Sequence, residues 1–591
     1  MICLKRKKVV YRMKELMIGN AALARGLYEA GCSLISSYPG TPSTEITEEF
    51  AKFDDVYCEW APNEKVAAET AFGAALRGKR SACCMKHVGL NVAADLLFTV
   101  SYSGINAGMV ICVADDPGMH SSQNEQDSRH YAIAAKVPML EPSDSQEALD
   151  FAKIAYEISE RFDTPVFVKM CTRMAHSQSL VEKGERTEVT KEYVKNPRKY
   201  IMAPANAIGR HPIVEERTLK LTEYAEVTSL NRIETGNGKY DFGIITSSTS
   251  YQYVKEVFGD DVSVLKLGLV NPLPVKLIQD FAKTVDKVYV IEELDPIIET
   301  HCKNIGIDVC GKEKFSMIGE LSQKIIAHAF GLEPKETVSA DSPIPVRPPM
   351  MCAGCPHRGM FYVLAKNNLT VIGDIGCYTL GTMPPLNAMD MMIDMGAAVS
   401  GLHGFLKADN DDTESRTVAV IGDSTFIHSG VTGLMNIAYN QSNATVIILD
   451  NSITGMTGHQ QNPATGYNIK GEPAGKVDLE SLCRSVGINS VRVVDPYDLA
   501  ECEKVVKEEL AKKEPSVIIS RRPCVLLKYV KPKKPLRIDP EKCRGCKRCM
   551  KLGCPAISFR DKHAVIDNTL CIGCGVCSEL CPFEAFEREG E

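Results

Sequence analysis

Eight cysteines near the C-terminus have the spacing that holds iron and sulfide. They form two runs of one pattern, in which three cysteines two residues apart are followed by a fourth that precedes a proline: Cys543, Cys546, Cys549 and Cys554, then Cys571, Cys574, Cys577 and Cys581. Three thiolates in a tight loop can hold three irons of one [4Fe-4S] cube, and the fourth cysteine can complete a neighbouring cube. The spacing therefore predicts two [4Fe-4S] clusters in preference to zinc ribbons, the alternative for clustered cysteines.

The two runs resemble those of bacterial ferredoxins with two [4Fe-4S] clusters. The assignment that follows pairs each triplet with the distant cysteine of the other run: Cys543, Cys546 and Cys549 with Cys581, and Cys571, Cys574 and Cys577 with Cys554. In one departure, four residues, 550–553, precede Cys554, where three are usual. We expect a loop to tolerate the extra residue, with an effect on the stability or the potential of that cluster.

Charge is divided unevenly between the two halves of this tail. Residues 537–562 contain eight basic and three acidic side chains, whereas residues 563–591 contain one basic and six acidic side chains. Complementary charge steers association between proteins. The basic half is therefore a candidate dock for an acidic electron carrier, with an ordinary solvated surface as the alternative.

Two predicted apolar strands end in polar residues that suit a divalent cation. Gly422-Asp423-Ser424 ends one strand and Asp450-Asn451 ends the next, with 25 residues between Ser424 and Asp450. The carboxyl ends of neighbouring parallel strands meet at one edge of a sheet, where ligands bind. There, carboxylate and amide oxygens can share a hard cation with phosphate oxygens, and Gly422 would let the backbone approach the phosphate. The alternative is a pair of ordinary turns.

This pair of strand ends resembles the Gly-Asp-Gly/Ser…Asn motif of thiamine diphosphate enzymes. The resemblance implies that Asp423, Asn451 and the carbonyl of Ile453 bind Mg²⁺, which in turn holds the diphosphate. It also implies that Gly422 and Ser424 lie against the cofactor.

Two further segments resemble helices that contact the cofactor in thiamine enzymes. Thiamine catalysis needs a carboxylic acid beside the aminopyrimidine ring, and residues 63–77 resemble the helix that carries it, with Glu64 as the acid. The alternative for Glu64 is a carboxylate that stabilises a helix start. Met395 and Gly396 begin a small-residue helix. Met395 is a candidate for the apolar wedge that bends the cofactor, with a plain core residue as the alternative.

Most of the chain resembles one enzyme family. From Met13 to the C-terminus it resembles the α subunits of indolepyruvate:ferredoxin oxidoreductases, within the 2-oxoacid:ferredoxin oxidoreductase superfamily, and the most specific segments are 38–46, 86–91, 114–127, 352–358, 373–378 and 450–460. In such enzymes loops of the first domain face the substrate. The resemblance thus makes Thr41, His87, His120 and Gln123 candidate pocket residues, each of which could instead serve loop structure.

Four more cysteines match a third cluster of this superfamily. Pyruvate:ferredoxin oxidoreductases hold a proximal [4Fe-4S] cluster beside thiamine, and the resembling residues here are Cys352, Cys355, Cys377 and Cys524. An electron that leaves the thiamine site needs an acceptor nearby. The alternative is four inert cysteines, because cysteine is among the most buried residue types.

Alternating apolar runs and helical periodicity predict a multidomain α/β fold with parallel sheets. The clearest strands are expected at 81–85, 108–114, 165–170, 263–267, 417–422, 444–449 and 516–520, and residues 13–16 are expected to open a helix. With the resemblance, the predicted boundaries are a possible disordered extension at 1–12, a pyrimidine-binding domain at 13–182, a linker with some helix at 183–236, a transketolase C-terminal-like domain at 237–332, a linker at 333–350, a diphosphate-binding domain at 351–530 and an α+β 2[4Fe-4S] ferredoxin domain at 531–591.

Composition narrows the class of protein. The 591 residues include 23 cysteines and carry a formal net charge of −7, so nucleic acid is not an expected main partner. No apolar stretch approaches the ~18 residues of a membrane helix. Since no secretory signal is recognisable, the cysteines indicate metal binding in a reducing compartment, and a cytoplasmic location is expected.

The resemblance also implies an activity and partners. It implies oxidative decarboxylation of arylpyruvates, chiefly indolepyruvate, with coenzyme A, to give aryl-acetyl-CoA and CO2 and to reduce ferredoxin. It further implies a smaller β subunit with a γ-type domain, in an α2β2 assembly. One alternative is a non-oxidative thiamine-dependent decarboxylase or carboligase with structural clusters. The other is a non-catalytic electron-transfer subunit.

Overall fold

The computed structural model describes residues 14–335, 342–408 and 412–588. The chain forms two compact units, residues 1–339 and 340–591. Over the described segments, a search for helices long and apolar enough to cross a membrane finds none.

Two predicted segments fall wholly or partly outside these residues. The possible extension at 1–12 lies outside the described residues, as do positions 336–341 of the predicted linker at 333–350. Residues 342–350 of that linker are exposed and belong to no helix or strand.

The N-terminal unit alternates strands and helices. Its strands are β1 (Lys14–Ile18), β2 (Leu34–Ser37), β3 (Tyr57–Trp60), β4 (Ser81–Lys86), β5 (Met109–Asp115), β6 (Met139–Leu140), β7 (Val166–Cys171), β8 (Gln178–Glu182), β9 (Arg232–Glu234), β10 (Phe242–Ser247), β11 (Ser263–Leu267), β12 (Leu269–Asn271), β13 (Lys287–Ile291) and β14 (Val309–Cys310). Its helices are α1 (Gly19–Glu29), α2 (Thr44–Phe50), α3 (Glu64–Arg77), α4 (His87–Ser103), α5 (Arg129–Ala135), α6 (Ser145–Phe162), α7 (Thr172–His176), α8 (Pro197–Tyr200), α9 (Pro204–Val227), α10 (Ser248–Phe258), α11 (Val275–Ala282), α12 (Ile297–Asn304) and α13 (Gln323–Ala329).

The first sheet of this unit has seven strands in the order β12-β6-β7-β5-β4-β2-β3. Its strand pairs are parallel except for β12 with β6. Strands β4, β5 and β7 are buried along their whole length, as expected for central parallel strands covered by helices on both faces. The predicted strands at 81–85, 108–114 and 165–170 are confirmed to within one residue at each end.

The prediction that residues 13–16 open a helix is wrong. Residues from Lys14 form β1, which pairs antiparallel with β8, so that Lys14 lies opposite Glu182. Helix α1 begins only at Gly19. The partner strand is remote in sequence, and local periodicity carries no information about such a pairing.

The segment 183–236 is more ordered than the linker expected there. It contains α9, a helix of 24 residues, and β9, an edge strand of the second sheet. The buried positions of α9 are Val214, Arg217, Leu221 and Ala225. This narrow stripe includes an arginine, whose guanidinium donates to the carbonyl of Ser101 at 2.8 Å. Because the buried stripe is narrow and includes a polar residue, the sequence of α9 shows no clear helical period of apolar residues.

The second sheet, in the order β14-β13-β10-β11-β9, is joined to the first by buried charge. Arg129, which is 2 % exposed, donates to Asp127 and to Glu292, each at 2.6 Å. Nearby, Lys169 donates to Glu141 at 2.8 Å. Removal of one partner would leave an uncompensated buried charge, so the contact of Arg129 with Glu292, directly after β13, fixes the second sheet beside the loop that follows β5.

The C-terminal unit contains the second set of elements. Its strands are β15 (Thr370–Gly373), β16 (Met391–Met392), β17 (Thr417–Gly422), β18 (Thr445–Asp450), β19 (Ser490–Val494), β20 (Ser516–Arg521), β21 (Leu536–Ile538), β22 (Ile557–Arg560), β23 (His563–Ile566) and β24 (Phe586–Arg588). Its helices are α14 (His357–Lys366), α15 (Ala397–Lys407), α16 (Asp423–Thr425), α17 (Val431–Tyr439), α18 (Leu479–Ser485), α19 (Leu499–Leu510) and α20 (Val576–Glu579), with 3-10 turns at Cys377–Thr382, Asp412–Ser415 and Arg548–Leu552 and a π turn at Phe426–Gly430.

A parallel sheet and a small cysteine-rich domain share one core in this unit. The sheet has the order β16-β15-β17-β18-β20-β19, and the cysteine-rich domain contains the antiparallel pairs β21-β24 and β22-β23. Phe361 of α14 belongs to the same apolar cluster as Leu552 and Val576 of the cysteine-rich domain. The predicted fold class, α/β domains followed by an α+β ferredoxin-type domain, is confirmed.

Candidate active site and redox centres

Two strand ends of the C-terminal sheet lie side by side, as the sequence predicts. Strands β17 and β18 are parallel, with Gly422 opposite Leu449. The next residues, Asp423 and Asp450, therefore emerge together at the carboxyl edge of the sheet. A π turn at Phe426–Gly430 follows Asp423, and such turns occur often at functional sites.

The carboxyl group of Asp423 pairs with no cation among the residues that the structure describes. Asp423 is 2 % exposed; its Oδ1 accepts from the N–H of Ser424 at 2.9 Å, and its Oδ2 makes no hydrogen bond. Burial, and then the negative charge of Asp450, raise the pKa of Asp423 to about 8. Asp450, by contrast, is paired with Arg521 at 2.8 Å. A buried carboxyl oxygen without a hydrogen-bond partner, which a nearby cation would ionise, fits a metal ligand.

Asn451 is held in place by neighbours on both sides. Its Nδ2 lies 3.3 Å from Nε2 of His357, and its carbonyl accepts from the N–H of Cys524 at 2.9 Å. Burial lowers the pKa of His357 to about 4, so the ring is neutral and can accept the amide hydrogen. Oδ1 of Asn451 then faces away from His357, and it accepts from the N–H of Ile453 at 3.3 Å.

Asp374, at the end of β15, orients the start of α15. Its carboxylate accepts from the N–H of Gly396 at 2.9 Å and from that of Ala398 at 3.0 Å. Gly396 has φ +98°, and a side chain there would lie 2.6 Å from Cβ of Ser429, so glycine is required. Met395, one residue earlier, is half-buried. Residues 373–378 are one of the segments that resemble the enzyme family, but the resemblance predicts no role for Asp374.

Gly422 is also required by a neighbouring side chain. Its backbone is extended at φ −78°, and a side chain there would lie 2.7 Å from the ring of Tyr378. Tyr378 is buried, and its hydroxyl donates to the carbonyl of Ile375 at 2.9 Å. Glycine at 422 therefore makes room for an aromatic ring.

Four cysteines gather beside this edge of the sheet, namely Cys352, Cys355, Cys377 and Cys524. A side chain on Gly455 would lie 3.3 Å from Sγ of Cys377. Burial, with the nearby charges of Cys524 and Cys352, raises the pKa of Cys377 to about 11. Burial, with Cys352 and Cys377, raises that of Cys355 to about 12. Thiols in such a group become thiolates when a metal supplies positive charge.

The eight cysteines of the tail line two separate cavities. One is lined by Cys543, Cys546, Cys549 and Cys581. The other is lined by Cys554, Cys571, Cys574 and Cys577. These are the two groups of four that the sequence predicts. Among the described residues no three His, Cys, Asp or Glu side chains converge as a single metal ion would require.

Backbone N–H groups point at sulfur in both groups. The N–H of Leu536 lies 3.5 Å from Sγ of Cys571, and the N–H of Ala585 lies 3.5 Å from Sγ of Cys581. Hydrogen bonds to sulfur are one of the factors that set the potential of an iron–sulfur cluster.

The four residues before Cys554 include the end of a short helical turn, which is hydrogen-bonded to another part of the unit. The turn Arg548–Leu552 is followed by Gly553, whose φ is +68°. The guanidinium of Arg358, from α14, donates to the carbonyl of Leu552 at 3.0 Å and to that of Gly553 at 2.6 Å. No local sequence pattern predicts this role of Arg358, because the loop that it contacts is almost 200 residues away in the chain.

In the N-terminal unit, Glu64 is buried at the carboxyl edge of the first sheet. It begins α3, where the side chain of Asn63 caps the helix by accepting from the N–H of Val66 at 2.9 Å. Glu64 is 4 % exposed. Its carboxyl group lies against Gly89 in the first turn of α4, where a side chain on the glycine would approach Oε1 of Glu64 to 2.3 Å.

The four candidate pocket residues have different environments. His87 is completely buried, burial lowers its pKa, and neither ring nitrogen makes a hydrogen bond. The carbonyl of Thr41 accepts from the hydroxyl of Ser121 at 3.5 Å. His120 is exposed and pairs with Glu320 at 3.0 Å, and Gln123 is exposed.

Lys86 is a residue at this edge that the sequence reading left without a role. Its Nζ donates to the carbonyl of Ser121 at 2.7 Å. Lys86 is 7 % exposed, and burial lowers its pKa to about 8. It thus places a buried cationic group beside the loop of Thr41.

The contact of Glu64 with Gly89 provides a matched pair of glycine variants. Gly89→Ala should displace the Glu64 carboxyl group and lower kcat/KM about 100-fold, the usual order when a functional group at an active site is misplaced. Gly73→Ala lies in α3, with no atom within 4 Å of the new methyl group, and should keep full activity while gaining up to about 1 kcal/mol of stability. Equal activity of both variants, measured by steady-state kinetics, would argue against a role for Glu64.

Comparison with known families covers three parts of the chain. Residues 25–240 match the family described as pyruvate flavodoxin/ferredoxin oxidoreductase, thiamine diphosphate-binding. Residues 374–520 match the C-terminal TPP-binding domain of thiamine pyrophosphate enzymes. Residues 535–584 match the 4Fe-4S dicluster domain. The chain therefore contains thiamine diphosphate-binding domains and an iron–sulfur domain.

Three curated relatives match along nearly the whole chain, and each is described as indolepyruvate oxidoreductase subunit IorA. The protein of Archaeoglobus fulgidus is 39% identical over 97% of both chains. That of Pyrococcus horikoshii is 40% identical over 98% of both, and that of Methanothermobacter marburgensis is 39% identical over 97% of both. At this identity and coverage, the chain belongs to the family of indolepyruvate oxidoreductase IorA subunits.

Proposed function

We propose that this chain is the catalytic α subunit of a ferredoxin-dependent oxidoreductase that converts arylpyruvates, chiefly indolepyruvate, and coenzyme A to aryl-acetyl-CoA and CO2. The observation that carries the proposal is the adjacency of a cation site and a cysteine group. The carbonyl of Asn451, near Asp423, accepts from the backbone N–H of Cys524, and Oδ2 of Asp423 makes no hydrogen bond. This contact supports a decarboxylation site next to cysteines that would hold an electron-accepting cluster.

Each residue of the proposed site has a separate role. Asp423, Asn451 and the carbonyl of Ile453 would bind Mg²⁺ and hold a diphosphate at the edge of the sheet. When bound, thiamine diphosphate supplies the electron sink for decarboxylation of a 2-oxo acid. Glu64 would hold and exchange the proton that this cofactor needs. Ser424, whose hydroxyl accepts from that of Thr454 at 2.9 Å, would lie against the diphosphate.

A third cluster would connect this site to the ferredoxin-type domain. Cys352, Cys355, Cys377 and Cys524 would hold a proximal [4Fe-4S] cluster. Cys355 also lines the cavity of Cys554, Cys571, Cys574 and Cys577. The two cysteine groups are thus neighbours, and electrons from the active site would enter the ferredoxin-type domain through the cluster held by that second group.

The proposed assembly includes partners outside this chain. A smaller β subunit would supply the γ-type domain, in an α2β2 enzyme that works in the cytoplasm, and ferredoxin would accept the electrons. Coenzyme A would accept the acyl group.

The activity can be measured directly on the enzyme purified without oxygen together with its smaller subunit. Indolepyruvate should drive ferredoxin reduction that depends on coenzyme A. We expect kcat/KM to fall from indolepyruvate to phenylpyruvate and hydroxyphenylpyruvate and to be lowest for pyruvate. CO2 release without coenzyme A and without ferredoxin reduction would instead identify a non-oxidative decarboxylase. Full activity of a Glu64→Gln variant would contradict the thiamine site.

Iron content tests the third cluster. Three [4Fe-4S] clusters correspond to about twelve iron atoms per chain, and two correspond to about eight. We expect about twelve in the wild-type protein and about eight in Cys352→Ala, with loss of ferredoxin reduction. Cys483→Ala, which alters a buried core cysteine of the same unit, is the control and should keep all the iron. A wild-type value near eight, unchanged in Cys352→Ala, would rule out the proximal cluster.

A further inference from the structure

Lys86 ends β4 at the carboxyl edge of the first sheet, between the loops that follow β2 and β5. A side chain on Gly40, in the loop after β2, would lie 3.0 Å from Cβ of Lys86. In the loop after β5, the carbonyl of Ser121 accepts from Nζ of Lys86 at 2.7 Å. Lys86 also directly precedes α4, whose Gly89 contacts the carboxyl group of Glu64. The ammonium group therefore lies among the candidate pocket loops, one helical turn from the contact of Glu64.

The ammonium group of Lys86 is buried without an ion pair to any described residue. Of its three N–H donors, the structure pairs them only with the carbonyl of Ser121 and, at 3.4 Å, with the hydroxyl of Ser121. Asp116, whose negative charge acts on Lys86, is already occupied. Its carboxylate accepts from the N–H of Ser121 at 2.9 Å, the hydroxyl of Ser122 at 2.5 Å and the hydroxyl of Thr172 at 2.6 Å.

The pKa of Lys86 agrees with this incomplete pairing. Burial lowers it to about 8, and the charge of Asp116 offsets burial only in part. A buried amine whose partners do not compensate for lost hydration behaves in this way. A bound anion would supply the missing partner and favour the charged form.

Three other cations near this edge already have carboxylate partners. Each pair joins a cation to an acid of the same unit: Arg129 to Asp127, Lys169 to Glu141, and Arg173 to Glu320. An incoming anion would have to compete with those acids. At Lys86 it would meet a donor that no described carboxylate occupies.

We propose that Lys86 binds the carboxylate of the 2-oxo acid substrate and distinguishes it from an uncharged molecule of the same shape. This inference rests on the proposed function and adds the residue that recognises the carboxylate. A hydrogen bond between an ammonium group and a carboxylate is charge-assisted. Its strength increases where water is excluded, as it is around Lys86, which is 7 % exposed.

The proposed contact favours binding more than the chemical step. In decarboxylation the bond between the carboxylate carbon and the keto carbon breaks, the carboxylate leaves as CO2, and the electron pair of that bond stays on the acyl side. The negative charge that Lys86 contacts thus disappears during the reaction. Since an interaction of this kind stabilises the bound substrate more than the transition state, loss of Lys86 should affect KM more than kcat.

A purely structural role is the competing explanation. Lys86 ties down Ser121, and the hydroxyl of Ser121 donates to the carbonyl of Thr41 at 3.5 Å. Lys86 could therefore act only by holding two loops in place. Such a tie would affect charged and uncharged ligands to the same extent, whereas carboxylate recognition affects the charged ligand alone.

Two unreactive ligands separate these roles. Indole-3-propionate and indole-3-propionamide both lack the keto group, and the first carries a carboxylate where the second carries an uncharged amide. By isothermal titration calorimetry, the holoenzyme purified without oxygen should bind the acid about 10- to 100-fold more tightly than the amide. Lys86→Met should bind the two about equally, with the Kd of the amide unchanged. Lys86→Arg should keep the preference for the acid.

The kinetic effect should follow the same division. Lys86→Met should raise KM for indolepyruvate about tenfold or more, while kcat changes by less than about threefold. The control is Lys52→Met, which alters an exposed lysine of α2 that pairs with Glu49. It should keep the wild-type KM and the wild-type preference for the acid.

Three results would overturn the proposal. The first is a wild-type enzyme that oxidises indolepyruvate yet binds the acid and the amide equally. The second is a Lys86→Met variant that still prefers the acid, and the third is one that binds both ligands more weakly by the same factor. If Lys86→Met does not fold, Lys86→Gln takes its place with the same expectations. A wild-type enzyme that prefers the acid but does not oxidise indolepyruvate would instead reject the proposed function.

Discussion

The arrangement of the C-terminal unit centres on one buried carboxyl group, that of Asp423, which pairs with no cation among the described residues. Its neighbour Asp450 is neutralised by Arg521, whereas Oδ2 of Asp423 has no partner. Ionisation of this buried acid is costly and its pKa is raised, because the parallel pairing of β17 with β18 also places it next to a second acid. Such an arrangement is understandable if a divalent cation, with a diphosphate, completes it.

The redox groups are built on the same framework. Cys524 is tied by its backbone to Asn451, and Arg358 reaches from α14 to the loop before Cys554. The ferredoxin-type domain shares an apolar core with the diphosphate-binding domain. The clusters would therefore be held at fixed distances from the cation site instead of on a flexible tether.

The sequence predicts the parts of this structure that local patterns specify. Fully apolar runs gave β4 and β17, and cysteine spacing gave both groups of four. Local patterns do not predict pairings between remote segments, which is why the sequence predicts a helix where β1 lies and a linker where α9 lies. The contacts that position the candidate site residues are also between remote segments. Gly89 leaves room for the carboxyl group of Glu64, and His357 contacts the side-chain amide of Asn451. Such contacts exist only in the folded chain.

The thermal stability of an Asp423→Asn variant, with and without Mg²⁺ and thiamine diphosphate, tests the central claim most directly. Without ligands, the variant should have a Tm at least as high as the wild type, because it lacks an uncompensated buried acid. Ligand at about 100 times its Kd should stabilise the wild type by about 2.7 kcal/mol and leave the variant unchanged. A variant that is less stable without ligands, yet gains the full increment when they are added, would contradict the account.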